Sequence, residues 1–247
     1  MIRYEAKERS TLFAFRKLEF MPHLHRAAEL GLVVSGESEL YVDGRFFPLR
    51  AGDLFIIFPD QIHSYRNDRS VSGLLFILPE AELAPFGEIF AERCPQSPVL
   101  SLSAEVRAEL TALFHRIFSD REKEGEAVMR GWFHVLVGKL LSHLPTEHRT
   151  APHAALPQVL LWLRDHITED VSRKSLARAV GLSESTVSHL FSKALGLSLP
   201  AYVAGLRLEL ALSLREKEGI TLTEAALRSG FGSLRSFHRA YRQKYGN

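Results

Sequence analysis

A single cysteine, Cys94, stands in the 247 residues, so the chain cannot form an internal disulfide. The expectation for it is a partly buried thiol in a loop. No apolar run reaches the roughly 20 residues that a membrane-spanning helix requires. The opening residues, Met1-Ile2-Arg3-Tyr4-Glu5, lack the basic-then-apolar order of a secretory leader. Together these absences argue against a disulfide-stapled scaffold and a helical membrane protein. They lead us to expect a cytoplasmic protein with no membrane partner. Net charge is small, +2, but unevenly placed. Residues 153–247 carry 13 Lys/Arg against 8 Asp/Glu, whereas residues 1–152 carry 18 against 21. A basic C-terminal third beside an acidic remainder predicts that only the former meets a polyanion.

Apolar residues are ample for a core, and their period changes along the chain. Residues 9–78 hold short β-rich runs, namely 12–15, 30–34, 40–42, 46–49, 54–58 and 74–78. Turn signals separate them at Ser35-Gly36, Asp43-Gly44, Ala51-Gly52-Asp53 and Pro59-Asp60. Asp43-Gly44 suits a type I′ hairpin, because both residues accept a positive φ. Several short strands at regular spacing indicate a sandwich or barrel. From Ser103 the spacing becomes helical, with Val106, Leu110, Leu113, Phe114 and Ile117 followed by Val128, Trp132, Val135, Leu136, Leu140 and Leu144. One face of this helical pair is expected to pack on the β-domain, leaving apolar side chains for a partner subunit. Residues 145–157 contain three prolines and read as a linker, with helix resuming from about Gln158.

Within the β-region, His23-Leu24-His25, Glu29 and Gly36 are followed by Gly52-Asp53, Pro59, His63 and Asn67. This spacing resembles the cupin superfamily, small β-barrels whose two motifs supply three histidines and a glutamate. The physical sense is that His23 and His25, two apart on a strand, point to one face. Glu29 and His63 can then arrive from neighbouring strands. Such a set would suit Zn, Mn, Fe or Ni. Alternatively, the four residues line a polar effector pocket or form a hydrogen-bonded network. Phe13, Phe15, Tyr65 and Arg45 are candidates for the walls and anchors of that pocket. Here Gln61 stands where cupins usually have glycine, and the Pro–His gap is one residue shorter. No cofactor is required by this reading, and a divalent transition metal is the one the resemblance allows.

The C-terminal third holds one pattern twice. Leu176-Ala177, Gly181-Leu182, Phe191 and Gly196 are answered by Ala225-Ala226, Gly230-Phe231, Tyr241 and Gly246. Ser172 and Ser183 are expected N-caps in the first copy, and Ser233 in the second. Thr221-Leu222-Thr223-Glu224 fits a capping box. Gly181 and Gly230 end the leading helices. In the first trailing helix Val187, Leu190, Phe191 and Ala194 should face the core, with Ser185, Ser188, His189 and Ser192 outward. In the second, Phe237, Ala240, Tyr241 and the stem of Lys244 should face inward, and Arg235, His238, Arg239 and Arg242 outward. A helix presented after a tight glycine corner suits the major groove, where arginine can bond a guanine edge. Leu234 is placed to touch a thymine methyl. Between the copies, Leu199 to Leu214 reads as a rigid helical spacer.

These residues, with Tyr202, Leu206-Arg207-Leu208 and Ala211 between the copies, resemble the arabinose-regulator (AraC/XylS) family of bacterial transcription factors. The resemblance spans nearly the whole chain, because many members carry a cupin-like sensor and dimerisation domain. It implies a non-enzymatic homodimer that binds double-stranded promoter DNA, contacts RNA polymerase and answers a small polar effector such as a sugar. Base reading would fall to Ser185, Ser188, His189, Leu234, Arg235, His238 and Arg239. Phosphate contact would fall to Ser172, Ser183, Lys193, Thr223, Ser233, Arg242 and Lys244. The family usually has arginine where His189 stands, so the first reader is expected to be the lighter one. It also commonly continues past the last glycine, whereas this chain stops at Asn247; a weaker C-terminal clasp or a shortened chain is expected. Rival readings are a metal-dependent cupin enzyme fused to a DNA-binding module, and a constitutive regulator whose barrel only dimerises. The expected fold is thus α+β in two domains. A cupin-like β-barrel occupies 1–100, a helical dimerisation region 101–144, the linker 145–157, and an all-α double helix-turn-helix domain 158–247.

Overall fold

The computed structural model describes the backbone of residues 3–5, 7–66, 70–149, 151–194 and 197–245. Asn67, Leu195, Gly196 and Gly246 lie outside the described residues, as do the side chains of Lys193, Ala194 and Lys244. Two compact units divide the chain, Ile2–His153 and Ala154–Asn247.

In the first unit the strands are β1 (Arg3–Tyr4), β2 (Thr11–Phe15), β3 (Phe20–Leu24), β4 (Ala27–Val42), β5 (Arg45–Arg50), β6 (Leu54–Ile57), β7 (His63–Arg66) and β8 (Val71–Pro79). The 16-residue β4 is the spine. Its first half pairs antiparallel with β6 and β8, and β8 pairs with β2. Its second half pairs with β5 and β7, and β7 leads through β3 to β1. The sequence pattern predicted two strands broken at Ser35-Gly36. Instead β4 continues through them, with a register shift between Val33 and Ser35 and Gly36 at φ 80°. This is a bulge, which bends a strand without ending it. A Cβ on Gly36 would meet the Ser70 carbonyl oxygen at 2.0 Å, so glycine is required there. The Asp43-Gly44 hairpin forms as expected, with φ 46° and 91°. Strands β3 and β7 lack apolar alternation, being built from His, Met, Ser and Arg, so only the histidine spacing pointed to them; His25, expected on the same strand as His23, falls one residue past the end of β3.

After β8 come α1 (Gly87–Glu92), β9 (Arg93–Pro95), α2 (Ala104–Asp120), α3 (Glu126–Ser142) and β10 (Thr146–His148). Alternation along the strands makes two cores. Phe15, Val33, Leu40, Phe55, Ile57, Tyr65 and Leu75 fill the interior of the β-domain. Leu30, Leu32, Leu54, Ile56, Leu74 and Phe76 face the other way and are covered by Leu110, Phe114, Phe133, Leu136 and Leu140 of α2 and α3. The helical pair therefore packs on the sheet. The expected linker is not irregular. Thr146–His148 pairs with β9, and α4 runs Ala151–His166 with Pro157 inside it. Pro157 removes one helical hydrogen bond, yet Leu156, Val159, Leu160 and Leu163 are all buried, and that apolar stripe outweighs the loss.

The second unit continues with α5 (Arg173–Ala179), α6 (Glu184–Ala194), α7 (Leu199–Glu218), α8 (Leu222–Arg228) and α9 (Leu234–Tyr245). A reciprocal capping box joins Ser172 and Ser175. Ser183, Ser198, Thr221 and Ser233 each accept an amide hydrogen at the start of α6, α7, α8 and α9. At 1.5 Å per residue α7 is about 30 Å long. Leu176, Val187, Leu190 and Phe191 are buried in the first copy, and Ala225, Ala226 and Phe237 in the second. Tyr241, expected inside, is 38% exposed. Its counterpart Phe191 is covered by Tyr202 of α7, with ring centroids 5.5 Å apart, whereas Tyr241 meets only tilted rings of its own helix, Phe237 and Tyr245.

The two corner glycines differ in surroundings. Both have positive φ, but a Cβ on Gly181 meets nothing within 4 Å, whereas one on Gly230 would lie 2.7 Å from Thr168 Cα. Gly181→Ala should destabilise the second unit by about 1–2 kcal/mol, the left-handed cost alone. Gly230→Ala should cost on the order of 3 kcal/mol or more, because strain and clash add. Urea unfolding of both variants tests this, and equal losses would contradict it.

Candidate nucleic-acid interface and a buried histidine cluster

The helices α6 and α9 can be laid over each other at a sequence offset of 50. Ser185, Ser188, His189 and Ser192 then match Arg235, His238, Arg239 and Arg242. At 3.6 residues per turn each set falls within an arc of roughly 100°. The four α9 residues are all exposed, as are Ser185, His189 and Ser192, while Ser188 is half-buried. Opposite each arc lie the buried Val187 and Phe237. The outward faces are thus as expected. Leu234 at the start of α9 is half-buried against Phe237's core. Among the expected phosphate contacts, Ser172, Ser183, Thr223 and Ser233 are exposed. Ser172, Ser183 and Ser233 are also engaged as caps, so each offers its neighbouring free amides rather than its hydroxyl alone.

One residue was missed in the sequence. Arg173, at the first turn of α5, donates through Nη1 to Ser188 Oγ at 3.3 Å. It brings a permanent cation to a face otherwise built of Ser185, Ser188, His189 and Ser192. The signal lay in its position directly after a capping serine. Arg239 also lines a surface groove with Ser172, Arg173 and Arg207. Arg207 itself is occupied, donating to the carbonyls of Ile167 and Glu169.

In the first unit, His23, His25, Glu29 and His63 come together, and one donor atom from each lies within 4.8 Å of the others. All four are buried. The bulge between β3 and β7 sets His23 opposite His63 in register. Each imidazole is fixed by a backbone carbonyl. His23 Nδ1 donates to Met21 at 2.9 Å, His25 Nδ1 to Ala27 at 3.0 Å and His63 Nδ1 to Gln61 at 2.9 Å. A carbonyl only accepts, so every Nδ1 carries hydrogen and every neutral ring presents its Nε2 lone pair to the cluster. Yet His25 Nε2 stands 3.0 Å from Glu29 Oε1, and His63 Nε2 stands 3.5 Å from the same oxygen. Two acceptors at that distance repel unless a cation lies between them. His63 Nε2 is buried with no hydrogen-bond partner among the described residues.

The electrostatics agree. Burial pushes the Glu29 carboxyl up, but His63 and His25 overcome it and hold it well below the usual carboxylate range. Burial and the neighbouring His63 push His23 down to about 4, keeping it neutral. Burial pulls His63 down, yet Glu29 outweighs it and the net direction is up. Tyr65 donates its phenol hydrogen to Glu29 Oε2 at 2.5 Å, and burial followed by the Glu29 charge holds that phenol protonated. The set accepts either a proton on a histidine or a divalent transition metal. The carbonyl-anchored rings are the arrangement that metal-binding imidazoles adopt.

The expected pocket residues do not all assemble. Phe15 and Tyr65 are interior core, Phe13 packs at its edge, and Arg45 is exposed at the start of β5. Arg45 lines a separate cavity with Phe47, Asp60 and Arg149.

Comparisons with known proteins follow the same division. Residues 14–131 match the family described as AraC-like ligand binding domain, and residues 176–247 match the one described as Helix-turn-helix domain. The HTH-type transcriptional activator RhaS of Salmonella arizonae is 25% identical over 236 residues, covering 92% of this chain and 84% of its own. YfiF of Bacillus subtilis, an uncharacterized HTH-type transcriptional regulator, is 23% identical over 239 residues, covering 91% of this chain and 76% of its own. Among solved structures, unsaturated fatty acid bound wild-type ToxT from Vibrio cholerae gives a TM-score of 0.55 at 13% identity, over 95% of this chain and 90% of its own. At that identity the likeness is one of fold. No helix among the described residues is long and apolar enough to cross a membrane.

Tyr65→Phe keeps the shape of the side chain and removes the donor to Glu29. The buried oxygen left behind should cost about 1–3 kcal/mol in the unfolding of the first unit. An unchanged denaturation midpoint would show that Glu29 does not depend on the phenol.

Proposed function

The chain belongs to the AraC/XylS family of transcription regulators, and from that premise we propose that it is a sequence-specific activator controlled by a small polar metabolite. It is a DNA-binding regulator with a ligand-binding domain; the activating sign and the class of effector are the proposed part. The observation that carries the DNA-binding mode is the matched pair of outward arcs on α6 and α9, each behind a left-handed glycine corner. The second arc, with Arg235, Arg239 and Arg242, supplies charge and bidentate donors for guanine and phosphate. The first relies on Ser185, Ser188 and His189, with Arg173 beside them. The proposed partners are promoter DNA, RNA polymerase and a second copy of the chain.

In the first unit, His23, His25, His63 and Glu29 fit a divalent transition metal. When bound, it would supply the positive charge that the converging lone pairs and carboxylate require. We assign this cluster a structural or sensing role rather than a catalytic one, because all four side chains are buried and present no open face to a substrate.

Two measurements test this reading. Arg239→Ala should weaken binding to DNA from upstream of the gene by about tenfold or more, consistent with one lost bidentate contact, and His189→Ala should weaken it less. Fluorescence anisotropy at physiological salt reads both, and the reverse order would refute the ranking of the two faces. Elemental analysis of protein purified without chelator should find about one transition metal per chain, lost in Glu29→Gln and His63→Ala. Metal-free wild-type protein would leave a proton as the cation of the cluster.

A further inference from the structure

A cavity of about 150 Å³ lies where the β4–β5 hairpin meets the β9–β10 ribbon. The described lining holds Arg45 and Arg149 with the carboxylates of Asp43, Asp60 and Glu147 around an aromatic wall, Phe47; Asp43 is engaged by Gln61 Nε2 and the Ile62 amide. Arg45 is poised by its Gln96 carbonyl contact at 3.3 Å, with its guanidinium 5.0 Å from the centre of the Phe47 ring. Arg149 is clamped from below. Its Nε donates to the Arg93 carbonyl at 3.0 Å and its Nη2 to the Pro59 carbonyl at 2.5 Å, which leaves Nη1 without a partner among the described residues. Asp60 sits in the left-handed region at φ 67°. Its Oδ1 is buried with no hydrogen-bond partner among the described residues. A buried acceptor without a donor is uncommon in a native fold and asks for a group to satisfy it.

The structure assigns this cavity, we propose, to a small carboxylic acid that carries a hydrogen-bond donor next to its carboxylate, an α-hydroxy or α-amino acid. Two guanidiniums with donors to spare are the complement of a carboxylate. Asp60, on the same lining, is the complement of an adjacent hydroxyl or ammonium. Size agrees, since a cavity of about 150 Å³ accommodates a molecule of roughly six non-hydrogen atoms. The location gives the site a consequence. Glu147 belongs to the ribbon and Arg149 directly follows it, shortly before the second unit begins at Ala154. An acid held by Arg149 and Asp60 ties that ribbon to the β-domain. This deepens the proposed regulator reading by naming the class of its effector and rests on that reading only for the link to DNA.

The test uses the full chain with L-lactate and L-serine as probes. Propionate, which lacks the donor, and a neutral pentose, which lacks the carboxylate, serve as controls. Lactate or serine should raise the thermal midpoint saturably in the millimolar range, through preferential binding to the folded state. Propionate should bind at least about tenfold more weakly. Asp60→Asn, isosteric and tolerant of positive φ, should erase the preference over propionate. Arg45→Ala should weaken all acids by about tenfold, and being exposed it carries the test if the Asp60 variant fails to fold. Three outcomes overturn the proposal: no saturable binding of either probe, binding that survives both substitutions, or binding lost in His63→Ala but kept in Asp60→Asn. Promoter binding is measured on the same preparations. Intact DNA binding with no acid binding refutes this site alone, whereas acid binding without specific DNA binding refutes the regulator reading instead.

Discussion

The first unit depends on one burial, that of the Glu29 carboxylate. An isolated ion removed from water costs several kcal/mol even after the protein relaxes, so it must be compensated on every side. Glu29 stands on β4, the strand that pairs with β6 and β8 along its first half and with β5 and β7 along its second, opposite Ile57 and Ile77. Its partners come from elsewhere: Tyr65 and His63 from β7, and His25 from just beyond β3. Satisfying the carboxylate therefore fixes β3, β4 and β7 against one another. The bulge at Gly36 makes this possible, because it lets a single strand pair with β8 first and β7 later. The same demand fixes the chemistry. With all three Nδ1 hydrogens committed to carbonyls, the space between the Nε2 atoms and Glu29 is negative, and it calls for a cation.

The second unit solves the opposite problem. Its working groups stay in water, and the fold must only hold two helices at a defined pitch. Capping does much of this. Serine or threonine starts α5, α6, α7, α8 and α9, each satisfying an amide that would otherwise be unpaired. Such caps contribute about 1 kcal/mol each. They also leave the remaining free amides and the positive helix end pointing outward, toward any phosphate that approaches. The two copies share this frame but not the residues on it. Four side chains at equal angular positions are Ser, Ser, His, Ser in one and Arg, His, Arg, Arg in the other. Arg173 partly redresses the difference from outside the helix, which is why the imbalance in structure is smaller than in the motif.

Much of this was legible in the sequence, for identifiable reasons. Glycine corners, capping serines and apolar stripes are local signals, and α5, α6 and α9 follow them to within a residue or two, whereas α7 runs to Glu218, past the expected Leu214, and α4 begins at Ala151, ahead of the expected Gln158. The His23, His25, Glu29 and His63 set was legible as a spacing, although its tautomers were not, since those depend on carbonyls at Met21, Ala27 and Gln61. Strands β3 and β7 were legible only through the histidine spacing, because the residues that build the cluster displace the apolar alternation by which strands are recognised. Pro157 misled for another reason: a local helix breaker was outweighed by burial of Leu156, Val159, Leu160 and Leu163, which only tertiary structure reveals. Arg45 was assigned to a pocket inside the β-domain. It lines a cavity outside it instead, because residues around 45, 60, 95 and 148 meet only once the β9–β10 ribbon has formed.

Gln61 joins these features. It stands where the cupin pattern carries glycine, and each of its groups is occupied. Its side-chain oxygen accepts from the Phe58 amide at 2.9 Å, and its side-chain nitrogen donates to Asp43 Oδ2 at 2.9 Å. Asp43, through Oδ1, takes the Ile62 amide at 2.9 Å. The backbone carbonyl of Gln61 receives the Nδ1 hydrogen of His63 and so fixes which nitrogen that ring offers to Glu29. The same side chain lines the cavity between hairpin and ribbon. A glycine there would leave the Phe58 amide and Asp43 Oδ2 without these bonds and would loosen both walls. The departure from the cupin pattern is thus a strut: one residue anchors the hairpin turn, sets a histidine tautomer and borders the cavity. Any displacement of Gln61 must be felt at the cluster and at the cavity together.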